Sequence, residues 1–319
     1  MTLSRLLLAK PRGFCAGVDR AIDVVTVALR LFGSPVYVRK EIVHNRNVIH
    51  SLAAKGAVFV EEIDEIPEGA VTIFSAHGVS PEIRAKAAAK RLQVIDATCP
   101  LVTKVHMEAI RFAREGRSII LVGHAGHDEV VGTMGEVPNY IQLVGSKEQA
   151  EEIQVPDPRR VAVTTQTTLG VDDANEIIEV LRRRFPDLVT PASDDICYAT
   201  QNRQTAVKLL AKEADLVLVL GSENSSNSRR LREVAEAAGA RAYLIDDASE
   251  IEPAWLEGVR CAAITAGASA PEHLVQEVVD YFKALGVADV QEVAAVEEKV
   301  TFIPPPELAR EMSKRGASS

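Results

Sequence analysis

Residues 94–102 read VIDATCPLV. A short β-branched run ends at Asp96, a polar step carries Cys99, and Pro100 opens a stretch with helical spacing of apolar residues. Proline suits a first helical turn, where its missing N–H has no partner to lose. The stretch therefore predicts a strand, an exit loop bearing a thiol, and a helix. Two further segments have the same form: AKPRGFCAGV at 9–18 with Cys15, and SDDICYAT at 193–200 with Cys197. Each interval between these cysteines is about the size of one small α/β unit.

Outward from these segments, strands read as short runs: VTIFSA (71–76), RSIILVG (117–123), RRVAVTT (159–165), ADLVLVLG (214–221) and VRCAAITAG (259–267). Amphipathic patterns lie between them, at 80–92, 171–185, 226–239 and 273–286. Near-continuous apolar strands alternating with such helices predict the α/β class, with small parallel sheets covered on both faces.

Alignment on the three cysteines exposes a repeat. A little under thirty residues after each, a strand ends in a polar loop: His44 in VRKEIVHNRN, His127 in VGHAGHDEV, and Ser225, Ser226 and Asn227 in GSENSSNS. Farther on comes a second strand exit, with His77, Thr167 and Ser269 in turn, each followed by a helix-start signal. The expected division is 1–97, 98–194 and 195–285, three similar αβ domains, followed by a tail at 286–319. Parallel strands gather ligand-binding groups at their carboxyl ends, so three copies facing one axis would line a common pocket. The triple proline at 304–306 argues against a regular helix in the tail.

Composition narrows the function classes. At 47% hydrophobic and 25% charged over 319 residues, the chain is an ordinary globular sequence of two or three domains. A net charge of −9 gives no electrostatic footing for nucleic acid. RLLLAK at 5–10 reads as a first strand, with no signal peptide or membrane span. Four cysteines in that setting imply a reducing compartment, the cytoplasm, and metal or core roles in place of disulfides.

Cys15, Cys99 and Cys197, in parallel positions, are candidate ligands of one metal centre with a vacant position. Zinc is one reading, although the tight C-x-x-C pairs of structural zinc sites are absent. An iron–sulfur cluster accepts scattered thiolates that the fold brings together. Cys261 lies inside an apolar strand without a counterpart and reads as core. His44, His77, His127, Ser225, Ser226, Asn227 and Ser269 form a donor-rich set suited to phosphate or diphosphate. Glu129 could serve as a proton donor if burial raised its pKa. The His124, His127, Asp128 and Glu129 cluster leaves open a zinc-dependent hydrolase of a phosphorylated substrate. His50, His106 and His273 fall in helix patterns and read as packing or surface residues.

Nine motifs in order resemble the LytB family of 4-hydroxy-3-methylbut-2-enyl diphosphate reductases: GFCAGV, HN at 44–45, AHG at 76–78, DATCP, GHxGHxEVxGT at 123–133, TQTT, DICYAT, SENSSNS and GASAP. The resemblance covers roughly residues 10 to 305. It implies a pseudo-threefold trefoil of three αβ domains around a central cluster. Cys15, Cys99 and Cys197 would hold one [4Fe–4S] cluster with an open apical iron. The seven donors above would bind the substrate diphosphate, Thr167 would contact the substrate hydroxyl region, and Glu129 would supply the proton. The implied reaction is reductive dehydroxylation of the allylic diphosphate to isopentenyl and dimethylallyl diphosphates, with ferredoxin or flavodoxin as electron donor.

Overall fold

A computed structural model describes residues 3–314. The first third contains β1 (Arg5–Lys10), α1 (Ala16–Phe32), β2 (Val36–Arg39), α2 (Arg46–Ala54), β3 (Ala57–Val60), β4 (Val71–Phe74), α3 (Pro81–Ala89) and β5 (Gln93–Asp96). There follow α4 (Pro100–Arg114), β6 (Ser118–Val122), α5 (Asp128–Glu136), β7 (Ile141–Val144), α6 (Lys147–Glu152), β8 (Val161–Thr165) and α7 (Val171–Arg184). The remainder holds α8 (Tyr198–Leu210), β9 (Leu216–Leu220), α9 (Ser226–Ala237), β10 (Arg241–Ile245), β11 (Cys261–Ala266), α10 (Glu272–Ala284), β12 (Asp289–Ala294) and α11 (Pro306–Lys314).

The chain forms two compact units. One comprises the segment through Ala16, His44–Ile49 and Tyr198–Thr301; the other comprises Gly17–Val43, His50–Cys197 and the chain from Phe302. The first is built on one sheet, ordered β10-β9-β11-β1-β12. The second holds two sheets, β3-β2-β4-β5 and β7-β6-β8. Every strand pair among the described residues is parallel. The α/β class expected from the alternation is therefore the class observed.

All three sheets follow one plan. The strand that comes first, β2, β6 or β9, is flanked by the second on one side and the third on the other. A fourth segment then lies beside the third strand: β5 beside β4, β1 beside β11, and a single bridge from Val189 to Ala162 beside β8. Each fourth segment leads straight to a cysteine. In structural terms each thiol closes a sheet, and the first strand of the chain completes the sheet built by the last third.

The strands that read as continuous apolar runs are those buried on both faces. LVLVL of β9 is buried at all five positions, and CAAITA of β11 at all six. Removing each such Leu or Val from water is worth about 1.5–3 kcal/mol. Helices α8 and α9 cover one face of this sheet, whose core includes Val207, Leu210 and Leu231. Helix α10 covers the other through Leu274, Val275, Val278 and Phe282.

The tail departs from expectation in two places. Asp289–Ala294 forms β12 alongside β1; this strand is exposed or half-buried throughout, so it lacks the apolar run that marks the others. Pro306 begins α11, where it occupies the first helical position and forfeits no hydrogen bond. The first two prolines of the triplet stay outside the helix. No described helix is long and apolar enough to cross a membrane.

Candidate active site

The three cysteines occupy equivalent backbone positions. The Cys99 N–H donates to Ala76 O at 3.0 Å, the Cys197 N–H to Thr167 O at 3.0 Å, and the Cys15 N–H to Ala268 O at 3.2 Å. In each case the acceptor belongs to the exit loop of the neighbouring third strand, the loop that also carries His77, Thr167 or Ser269. Each cysteine immediately precedes a helix: α1, α4 or α8. The positive end of a helix favours an anionic group there. All three are half-buried, and no cysteine forms a disulfide among the described residues. Three sulfur donors in three like settings fit a thiolate-held iron–sulfur cluster. Cys261 differs: it is buried within β11, with Arg5 Nε donating to its sulfur at 3.5 Å.

In the two-sheet unit, the β6 exit turns into α5 through His127, whose Nδ1 accepts the Glu129 N–H at 3.2 Å. This cap places Glu129 in the first helical turn, 2% exposed. The Thr167 N–H donates to Glu129 Oε1 at 2.6 Å, and the Thr167 hydroxyl meets Oε2 at 2.9 Å. Burial pushes the Glu129 carboxyl up from 4.5 to about 7; the two Thr167 bonds oppose that shift, and the Asp195 charge adds to it. An amide N–H can only donate, so Oε1 must accept in either state. The stronger acceptor is the unprotonated oxygen, so the Thr167 N–H on Oε1 favours protonation at Oε2, facing the Thr167 hydroxyl.

The same segment is tied down on either side. His124 N–H donates to Gln166 Oε1 at 3.0 Å, and Gln166 Nε2 donates to Thr168 Oγ1 at 2.8 Å. Buried Asp195 accepts from the Thr164 hydroxyl at 2.6 Å, the Thr165 N–H at 3.0 Å and Lys104 Nζ at 3.1 Å. Asp195 lay within a recognised motif, yet its partners are on a distant strand and helix, so local reading gave it no role. His77 and His127 face each other edge-on, their ring centroids 5.9 Å apart. Behind His77, Gly78 takes φ +80°, and a β-carbon there would stand 3.0 Å from the His106 ring. His106 is itself buried and paired with Glu136 at 3.1 Å, a packing role as expected.

In the single-sheet unit, the other predicted donors lie on three loops. Ser269 Oγ donates to His44 O at 2.8 Å. Asn45, next to His44, caps α2 by accepting the Val48 N–H at 3.1 Å. Ser225 caps α9, taking the Ser228 N–H at 3.3 Å. Ser226 and Asn227 form the first turn of that helix and are 3% and 4% exposed. Neither polar atom of the Asn227 carboxamide has a hydrogen-bond partner among the described residues. An unpaired buried amide is destabilising, and beside a helix N-terminus its Nδ2 has the chemistry to donate to an anion. Gly267 permits this crowding, since a β-carbon there would lie 2.1 Å from Ser228 Oγ.

The zinc-hydrolase reading fares poorly on these contacts. His127 Nδ1 is engaged in capping α5, and both Glu129 oxygens are engaged by Thr167. The carboxylate that such a site would use is thus turned toward a threonine.

Comparisons with known proteins agree with this geometry. The family model described as LytB protein matches residues 6–283. A relative from Acidothermus cellulolyticus, named 4-hydroxy-3-methylbut-2-enyl diphosphate reductase, is 59% identical over 98% of this chain and 92% of its own length. One of the same name from Bordetella pertussis is 57% identical over 98% and 96%. Among solved structures, the E-1-hydroxy-2-methyl-but-2-enyl-4-diphosphate reductase from Plasmodium falciparum superposes with a TM-score of 0.94. It is 37% identical and covers 98% of this chain and 99% of its own. The chain belongs to the LytB protein family.

Proposed function

We infer that this chain is a 4-hydroxy-3-methylbut-2-enyl diphosphate reductase, the terminal enzyme of the non-mevalonate (methylerythritol phosphate) route to isoprenoids. It takes up two electrons and two protons, releases the allylic hydroxyl of its substrate as water, and yields isopentenyl or dimethylallyl diphosphate. Family membership and the shared name of its relatives support the activity. The observation that carries the reading is the common backbone setting of Cys15, Cys99 and Cys197.

These cysteines are assigned as the ligands of one [4Fe–4S] cluster with an open apical iron. When bound, the cluster supplies single electrons and a Lewis-acidic iron for the carbon–oxygen bond. Glu129 holds the proton for the departing oxygen on Oε2, and Thr167 orients it. With the carboxyl near pH 7, proton donation and recharging are both accessible. His44, His77, His127, Ser225, Ser226, Asn227 and Ser269 are assigned to the diphosphate. The unpartnered Asn227 carboxamide supports this set, which anchors the substrate by a group remote from the reacting carbon. The thirds 1–97, 98–194 and 195–285 each contribute one thiol and two polar loops, with 286–319 as tail. A cytoplasmic location with ferredoxin or flavodoxin as electron donor completes the proposal.

Anaerobic purification tests it. The expected result is a brown protein with iron and labile sulfide that turns over the allylic diphosphate with a reduced dye. Colourless protein with stoichiometric zinc and no turnover would overturn it.

A further inference from the structure

Arg20 lies on α1, one turn beyond Cys15, and had no part in any motif singled out for chemistry. Its side chain is half-buried and its donors converge on two segments far apart in sequence. Nη1 donates to Ala97 O at 3.1 Å and to Thr98 O at 3.1 Å, the two carbonyls directly before Cys99. Nε donates at 2.7 Å to the carbonyl of Ile303 in the tail, although the Ile303 side chain is itself 85% exposed. Downstream of that contact, α11 packs along β5, the strand that ends at Asp96. One guanidinium thus joins the ligand-bearing loop to the tail.

The charges around it give the contact a sign. Burial works against the Arg20 charge, while Cys99, Asp96 and Glu307 favour it. Arginine remains protonated in such a setting. Asp96 is already engaged by the Thr98 N–H at 2.9 Å, so it is held near the same turn. Arg20 is thus a cation that interacts with both carboxylates and with the Cys99 sulfur. A fixed positive charge near a cluster favours its reduced, more negative state.

We propose that Arg20 is a positioning residue for the Cys99 loop, clamped by the tail carbonyl of Ile303, and that its charge raises the reduction potential of the cluster held there. The potential rests on the cluster assignment above; the clamp does not. Lysine can keep the charge, but it lacks the fork that spans three carbonyls. The tail is therefore part of the electron-accepting centre's electrostatic support, acting through α1.

The experiment compares the parent chain with Arg20→Lys and Arg20→Met. In metal-free chains, amide hydrogen exchange follows α11 from Ala309 onward, where Ala309 N–H donates to Pro305 O at 3.0 Å and the helix bonds follow. In anaerobically iron-loaded chains, redox titration by absorbance gives the midpoint potential. Tail exchange should quicken at least tenfold in both variants. The potential should move negative in Arg20→Met and stay close to the parent in Arg20→Lys. Equal potentials in the two variants, or unchanged tail exchange in both, overturn the proposal. If Arg20→Met takes up no iron, retention by Arg20→Lys supports it and loss in both overturns it. A parent chain that binds no iron fails the cluster assignment itself, and hydrogen exchange alone then decides the clamp.

Discussion

Thr167 grips both oxygens of Glu129, its N–H on Oε1 at 2.6 Å and its hydroxyl against Oε2 at 2.9 Å. A single residue thereby biases which oxygen carries the exchangeable proton.

Glu129→Gln copies the protonated acid, with a carboxamide oxygen to accept from the Thr167 N–H and an NH₂ to meet its hydroxyl. It should keep fold and iron content while turnover collapses. Its stability should also be higher at alkaline pH. The native carboxyl titrates from 4.5 in the unfolded chain to about 7 in the folded one, so its favourable contribution is full at low pH and is lost as pH rises through 7. At about 1.4 kcal/mol per pKa unit, the loss approaches about 3 kcal/mol. Thermal melts of ligand-free protein at pH 5 and pH 8 check this; a variant no more stable than the parent at pH 8 would contradict it.

Thr167→Val removes the hydroxyl but keeps the N–H. The hydroxyl favours the ionised carboxylate, so its loss should raise the Glu129 pKa further. The alkaline limb of the kcat profile should shift to higher pH, while the plateau rate falls by about 10²–10⁴ as the proton loses its orientation. A pH–rate profile showing no shift would locate the proton elsewhere.

Asn227→Ala removes a carboxamide that has no protein partner among the described residues. Ligand-free stability should be little changed, whereas affinity for inorganic diphosphate should fall tenfold or more, a loss of about 1.4 kcal/mol or greater. Calorimetry with diphosphate measures the second quantity and thermal melting the first. Undiminished diphosphate binding would remove Asn227 from the anion site.

Replacing Cys15, Cys99 or Cys197 by serine should each strip the chain of iron and sulfide, whereas Cys261→Ala, inside β11, should retain both. Iron and sulfide analysis of the four variants decides the ligand set. A cluster that survives one of the first three changes would break the equivalence drawn from the backbone.

Much of the fold was legible because its strands are buried on both faces. LVLVL at β9 and SIILV at β6 can be little else once amphipathic helices flank them. What could not be read was partnership. A parallel strand bonds to a neighbour chosen by a long crossover, so nothing in RLLLAK says that it pairs with CAAITA at the far end of the chain. Edge strand β12 escaped notice because it carries polar residues on an exposed rim. Among the site residues, Glu129 and Thr167 came from the motif, but the burial that shifts the carboxyl is a property of packing. Asp195 and Arg20 act through contacts with segments remote in sequence, and local pattern holds no trace of those.

The position of β1 also orders events in time. Arg5 and its partner Cys261 are separated by 256 residues, so β1 must wait for the synthesis of all the chain between them before its sheet can close. Loop closure over such a distance is slow and leaves an apolar strand unpaired meanwhile. Cys15, directly downstream of that strand, is the first of the three thiols to be synthesised and the last whose supporting sheet is complete. The loop that carries Cys15 thus depends on strands from the far end of the sequence: a truncated chain lacking β11 has no sheet on which to hold it.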